Sequence, residues 1–490
     1  MTAPRFRFAP GRPPAVAAEA MVATSQPLAT RAGLRMLERG GTAADAALAA
    51  AAVLSVTEPM STGIGGDAFA LVWDGGRLEG LDAAGPAPLR ADPVSPVDDL
   101  GPRSVTVPGA VAGWAALADR HGSRGLDACL ADAIDAAERG FAVGAVTATS
   151  WADAARAHGD WPPTRVPPEL SPPPTRGARV RLHELAATLR AIASDGPGAF
   201  YGGAVARSIC AVSWLEEDDL AAFEPRWVEP LSGRYRGHDV VELPPPTQGV
   251  AALEALALLE GFRPDLPAQV ECVRLALEDA REHVRDGADV RHLLAADHVA
   301  RRRAMVAGPV AEPAGGTVYL CAVDGERRAV SFIQSLFGRF GSGLVAPGTG
   351  VVLQNRGACF ALQGEVVPGR RPYHTIIPGM LLRDGELAGP FGVMGGLIQA
   401  QAHMQLVSAL VDGGLDPQAA LDRPRFRVER ERVRLEEGLW QRAPELERLG
   451  HEVVLDPDPF AFGGGQAILV DGESLVGGSD ARKDGYAAGL

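Results

Sequence analysis

The segment Gly315-Gly316-Thr317-Val318-Tyr319-Leu320-Cys321-Ala322-Val323 limits what this chain can fold into more than any other. It is a strand-like run that begins on a threonine set directly after two glycines. Glycine loses the most freedom on ordering and packs no side chain, so strand propensity offers no reason for the pair. Self-cleavage chemistry does. A threonine hydroxyl is a weak nucleophile unless a base sits beside it, and one source of that base is the residue's own α-amine once the preceding peptide bond is cut. Gly316 crowds its carbonyl least and permits a strained backbone, so the Thr317 hydroxyl can attack that carbonyl in an N→O acyl shift. Hydrolysis of the ester then frees an amine with a pKa of about 7.7 to 8.0, of which roughly 10 to 20% is neutral at pH 7. Taken alone, Gly-Gly-Thr reads more simply as a turn entering a strand.

The pattern changes at this junction. Ahead of it, residues 28–56 read as two helices broken at Gly40-Gly41, and residues 61–83 as a Gly-rich turn leading into strands with a hairpin signal at Gly75-Gly76. Residues 105–220 read mainly as helices, interrupted by a proline-rich surface loop at 162–177. Strand character returns at 226–243, then helices over 249–262, 269–284 and 290–306. Beyond Thr317 come paired strands, with one helix near Gln399–Asp412. Such an order predicts an α+β fold of helices flanking packed sheets.

Composition excludes several function classes. A net charge of −14 argues against a nucleic-acid groove or an anionic membrane surface as the main partner, since both need a basic face. The five cysteines are scattered with no C-x-x-C, which disfavours disulfides and a zinc knuckle and points to a reducing compartment. No apolar signal region opens the chain, and the expected location is cytoplasmic. Dinucleotide binding lacks a strand–loop–helix unit around "GIGGDAF", where Asp67 either reaches the pocket or caps the turn, the cap being favoured. The spacing of His292 and His298 does not put two ligands on one helical face, so neither a metal nor a cofactor is expected. No G-x-S-x-G is present for a serine hydrolase.

In order along nearly the whole chain occur "MVATSQPLATRAGLRMLERGGTAADAALAAA", "EPMSTGIGGDAF", "VPGAVAGW", "GPGAFYGG", "GGTVYLCAVD", "AVSFIQSLFGRFGSGLVAPGTGVVLQN" and "GSDARKDG". Together they resemble the γ-glutamyltransferase family. The resemblance implies a four-layer αββα N-terminal-nucleophile hydrolase fold, made as a precursor that cuts itself between Gly316 and Thr317. Residues 1–316 would form a large subunit and 317–490 a small one, intertwined in one domain. Thr317 matches the family's nucleophile, Ser335 a hydroxyl residue that assists it, and Gly395 and Gly396 the glycine pair whose backbone N–H groups form the oxyanion hole.

At the substrate pocket the pattern breaks. The family arginine that clamps the α-carboxylate of a γ-glutamyl group is Ala84 here, its amine-binding acid is Cys359, its asparagine is Phe337, and its paired serines are His374 and Thr375. These variants resemble the branch that includes oxamate amidohydrolase. Asn355 and Arg356 lie beside this pocket in "QNRG", and Arg356 is the expected replacement clamp, with Arg371 a weaker one. The resulting expectation is a threonine amidohydrolase acting on a γ-glutamyl or small carboxylated amide, with the two fragments of the precursor as each other's partner and a homodimer of processed units left open. The alternative is an uncleaved, inactive member serving as a scaffold or binding protein.

Overall fold

The computed structural model describes residues 11–93, 97–159, 169–305, 316–429 and 432–490. Gly315, and residues 162–168 of the proline-rich loop, fall outside them.

Helices begin where caps and apolar periodicity meet. Thr42 and Asp45 form a reciprocal capping box at the start of Ala43–Thr57, a helix whose every residue is buried and whose alanines let neighbours approach closely. It packs with Pro27–Glu38 and Ala110–His121 over one sheet. On the opposite side, Gly249–Leu259, Leu266–His283 and Ile398–Val411 pack over a second sheet. Between the sheets lies a core that includes Phe69, Leu71, Tyr319, Cys321, Ile333, Met380 and Ile468. The result is the expected four layers of helix, sheet, sheet and helix. The helix expected over 290–306 is instead a 3-10 turn, Arg291–Leu294, and a short helix, Ala296–Arg303. The break falls at Ala295, whose extended backbone lets Leu293 turn into the core while His298 reaches Glu254.

Both sheets have seven strands, and all their pairings are antiparallel. One runs, in spatial order, Tyr486–Gly489, Met21–Thr24, Gly316–Val323, Ala329–Phe337, Asp67–Trp73, Leu78–Ala83 and Arg226–Val228. The other runs Ala15–Ala17, Ser474–Ser479, Gly464–Asp471, Glu386–Met394, Gly379–Arg383, His238–Glu242 and Leu231–Tyr235. Each interleaves strands from before and after the Gly316–Thr317 bond. Covered on both faces, the central strands are apolar almost throughout, unlike the alternation of a half-solvated sheet.

Alternation along Gly316–Val323 sends Val318, Leu320 and Ala322 toward the helices and Tyr319, Cys321 and Val323 between the sheets. Thr317 therefore faces the space between the sheets. Gly392 makes room there, for a Cβ at that position would stand 2.4 Å from the Tyr319 ring.

Candidate active site

Three neighbouring strands bring hydroxyl and carboxyl groups together at one end of the Thr317-bearing sheet. Val318 pairs with Gln334 but Gly316 pairs with Phe337, so the register slips by one residue and Thr317 stands opposite Ser335 and Leu336. Ser335 in turn pairs with Asp67 on the next strand. The slip falls at the residue where cleavage chemistry is expected, and it leaves Thr317 Oγ1 3.1 Å from Ser335 Oγ with both side chains buried.

Ser335 Oγ also accepts the Phe337 N–H at 2.8 Å and an Arg356 Nη2 hydrogen at 3.4 Å. Arg356 is fully buried. Its Nη1 donates to Thr375 Oγ1 at 2.9 Å and lies 3.7 Å from Cys359 Sγ, and its guanidinium stacks 4.5 Å from the centre of the Phe337 ring. Phe337 holds a left-handed backbone with φ of 71°. Among the described residues no carboxylate forms an ion pair with Arg356, and its Nε has no partner.

Behind Ser335 lies Asp67, whose Oδ2 is 2.9 Å from His374 Nε2 and whose Oδ1 accepts from Gln354 Nε2 and the Gly85 N–H, each at 3.0 Å. Burial pushes the Asp67 carboxyl up to about 7, against the opposing pull of the Arg356 charge. Burial, and then the charges of Arg356 and Arg371, hold His374 well below the usual imidazole range. The contact is therefore a hydrogen bond to a neutral ring. Among the described residues His374 Nδ1 has no partner. Asp67, for which the sequence favours a cap of its own glycine turn over a place in the pocket, bonds instead to Gly85, Gln354 and His374 and sits beside the Ser335 strand position.

Gly395 and Gly396 follow the Glu386–Met394 strand with φ of 133° and 73°, conformations suited to glycine. They lead into the helix Ile398–Val411, which starts with no side-chain cap. Gln399, in its first turn, reaches Thr317 Oγ1 at 3.5 Å with Nε2. A helix start without a side-chain cap carries partial positive charge and favours negative charge beside it.

Other expected residues have structural partners. Asn355 accepts the Gly338 N–H and donates to the Asp99 carbonyl, both at 2.7 Å, which ties two loops together. Arg371 is committed to Asp82 at 3.0 Å and to the carbonyls of Ala84 and Glu224. Among the described residues, one group of metal-type ligands converges, Glu254, Asp279 and His298. Asp279 already holds the Arg302 guanidinium at 2.7 Å, and burial pushes Glu254 up to about 10, so little negative charge is left for a cation. No helix among the described residues is long and apolar enough to cross a membrane.

The family model described as Gamma-glutamyltranspeptidase matches residues 29–490. The chain belongs to the gamma-glutamyltranspeptidase family. It is accordingly an enzyme that hydrolyses or transfers across amide bonds. Among this family's members, the glutathione hydrolase-like YwrD proenzyme of Bacillus subtilis is 33% identical, over 96% of this chain and 98% of its own. The oxamate amidohydrolase proenzyme of Klebsiella pneumoniae is also 33% identical, over 97% and 99%. A solved cephalosporin acylase from Bacillus halodurans superposes with a TM-score of 0.92 at 40% identity, covering 100% of this chain and 99% of that one. The N-terminal-nucleophile fold expected of a gamma-glutamyltranspeptidase relative is the one described above. Gln399 escaped the sequence reading, and Asp67 proves a neighbour of the pocket where the sequence favours a turn cap. Gln399 lies in an apolar helix and Asp67 opens a strand, and the available signal was a polar side chain in an otherwise buried run.

Proposed function

We propose that this protein is a self-cleaving threonine amidohydrolase, cut between Gly316 and Thr317 into fragments 1–316 and 317–490, that acts on small amides carrying a carboxylate. One observation carries the reading. The Thr317 hydroxyl lies 3.1 Å from Ser335, and Ser335 also accepts from a buried guanidinium that forms no ion pair among the described residues.

After cleavage the Thr317 α-amine takes the hydroxyl proton as Oγ1 attacks the amide carbonyl. Gly395 and Gly396 N–H groups receive the oxyanion, a contribution of about 3 to 4 kcal/mol per donor in comparable sites. The amine then protonates the leaving nitrogen, and water or a second amine removes the acyl group from Thr317. Arg356 would hold the substrate carboxylate through its fork, stacked in place by Phe337 and braced by Thr375.

The charge pattern argues against a γ-glutamyl substrate. Where the family acid would meet an ammonium group stands Cys359, a thiol pushed up by burial, with the Arg356 guanidinium beside it. An ammonium there would face a like charge in a dry pocket. A carboxylated amide without one, such as oxamate, fits better. The uncleaved scaffold has no feature of this site in its favour.

A denaturing gel with N-terminal sequencing tests the cut, which should give two fragments, the smaller beginning at Thr317, and a single uncut chain for Thr317→Ala. Steady-state assays on oxamate, succinamate and a γ-glutamyl anilide then test the substrate class. Faster turnover of the anilide than of either carboxylated amide would overturn it.

A further inference from the structure

Gln399 has no part in the reaction as set out above, yet its amide touches the nucleophilic oxygen. Its orientation is settled by chemistry. Oε1 lies 3.0 Å from the Ile377 backbone nitrogen, which can only donate, so Nε2 faces Thr317 Oγ1 at 3.5 Å. The side chain is fully buried. Gln401 and Gln405, on the same helix, give their amide hydrogens to the backbone carbonyls of Leu397, Val428 and Phe426. Gln399 gives its hydrogen to a side-chain hydroxyl. Contacts of this length in an unliganded site shorten when substrate is bound.

A donor on Oγ1 does not help every step alike. When Thr317 attacks, its oxygen gives electron density to the new C–O bond, and a hydrogen bond to it helps little. When the acyl ester breaks, water adds to the carbonyl carbon, the C–Oγ1 bond cleaves, and Oγ1 takes the electron pair. The proton released by water passes through the α-amine to that oxygen. We propose that Gln399 is a catalytic residue, its amide N–H stabilising Thr317 Oγ1 as the leaving oxygen of the acyl-enzyme. The inference rests on the reading of Thr317 as nucleophile.

The test uses the full-length Gln399→Met variant, with Gln399→Asn as a second variant should the first disturb packing. Both remove the donor from Oγ1. Slower deacylation should lower kcat and KM in parallel by about tenfold, the worth of one such hydrogen bond, with kcat/KM changed less than threefold. Intact-mass measurement during turnover should show the acyl group retained on the fragment that begins with Thr317. A variant that halts earlier, at the ester formed by its own Gly316 carbonyl, should be cleaved at that bond by hydroxylamine. Turnover within twofold of the parent, an equal fall in kcat and kcat/KM with no retained acyl group, or an uncut chain that resists hydroxylamine would each overturn the proposal. Thr317→Ala is run in parallel. If that variant still cuts itself and turns over amide, the reading of Thr317 has failed rather than that of Gln399.

Discussion

Replacing Arg356 by methionine separates a substrate clamp from a structural arginine, because the two roles move stability and binding differently. A buried arginine that holds the fold together is paired, and removing it leaves a buried acid alone, at a cost of several kcal/mol. Among the described residues Arg356 forms no ion pair, although its charge is felt by the raised Asp67 carboxyl. Its contacts are the Thr375 hydroxyl at 2.9 Å, the Ser335 hydroxyl at 3.4 Å, the Cys359 sulfur at 3.7 Å and the face of Phe337. Arg356→Met loses one well-formed charge-assisted bond, to Thr375, of about 1.5 to 3 kcal/mol, and the longer contacts to Ser335 and Cys359, but offsets this by relieving an unpaired buried charge and keeping an apolar stem and a sulfur against the ring. The melting temperature should stay within a few degrees of the parent's. Binding should suffer more, since a charge-assisted hydrogen bond to a carboxylate contributes about 1.5 to 3 kcal/mol, or roughly a 10- to 150-fold rise in KM. The assay compares a carboxylated amide with an uncharged amide of the same length, alongside calorimetric unfolding of the processed protein. If KM rises equally for both amides, or the melting temperature falls by ten degrees while KM for the carboxylated amide stays put, Arg356 is structural and the clamp is elsewhere.

The same charge gives a pH dependence. With the Asp67 carboxyl pushed up to about 7, Asp67 is neutral below that pH and leaves Arg356 free for an anion, whereas above it a carboxylate competes for the guanidinium. KM for a carboxylated amide should rise as pH passes upward through about 7, and Asp67→Asn should flatten that limb. Because the folded-state pKa is raised, the stability contributed by protonated Asp67 is fully present below its ordinary value of about 4 and is lost as pH climbs through about 7, so Asp67→Asn should also flatten thermal stability over that window. Gly395→Ala would place a Cβ 2.8 Å from Ile398 Cγ2 at φ of 133°, and should cost about a hundredfold in kcat by displacing the proposed oxyanion donors. Gly472→Ala, at φ of 61° with open space around it, is the matched control and should leave kcat unchanged, as a progress-curve assay of both would show.

Several elements were legible before any coordinates. The helix pair around Gly40-Gly41, the hairpin at Gly75-Gly76 and the strands after Thr317 appear where periodicity and turn residues put them, because each is a local choice of the chain. The break at Ala295 was not legible, since it serves burial of Leu293 and the reach of His298 to a helix distant in sequence. Within the pocket, Thr317 could be named from Gly316 and the strand behind it. Gln399 could not, and Asp67 only as one of two readings, because nothing near them in sequence says that one meets the threonine oxygen and the other meets His374.

By itself the sequence determined the family and the layered class and singled out Thr317 as the candidate to act as its own base, for these depend on local pattern and residue chemistry. Only the tertiary structure decided that Arg356 stands without an acid, that Asp67 shares its pocket, and that Gln399 points its amide at Thr317. Those are relations between strands and loops far apart in the chain, and burial, charge pairing and hydrogen-bond direction exist only once packing has brought them together.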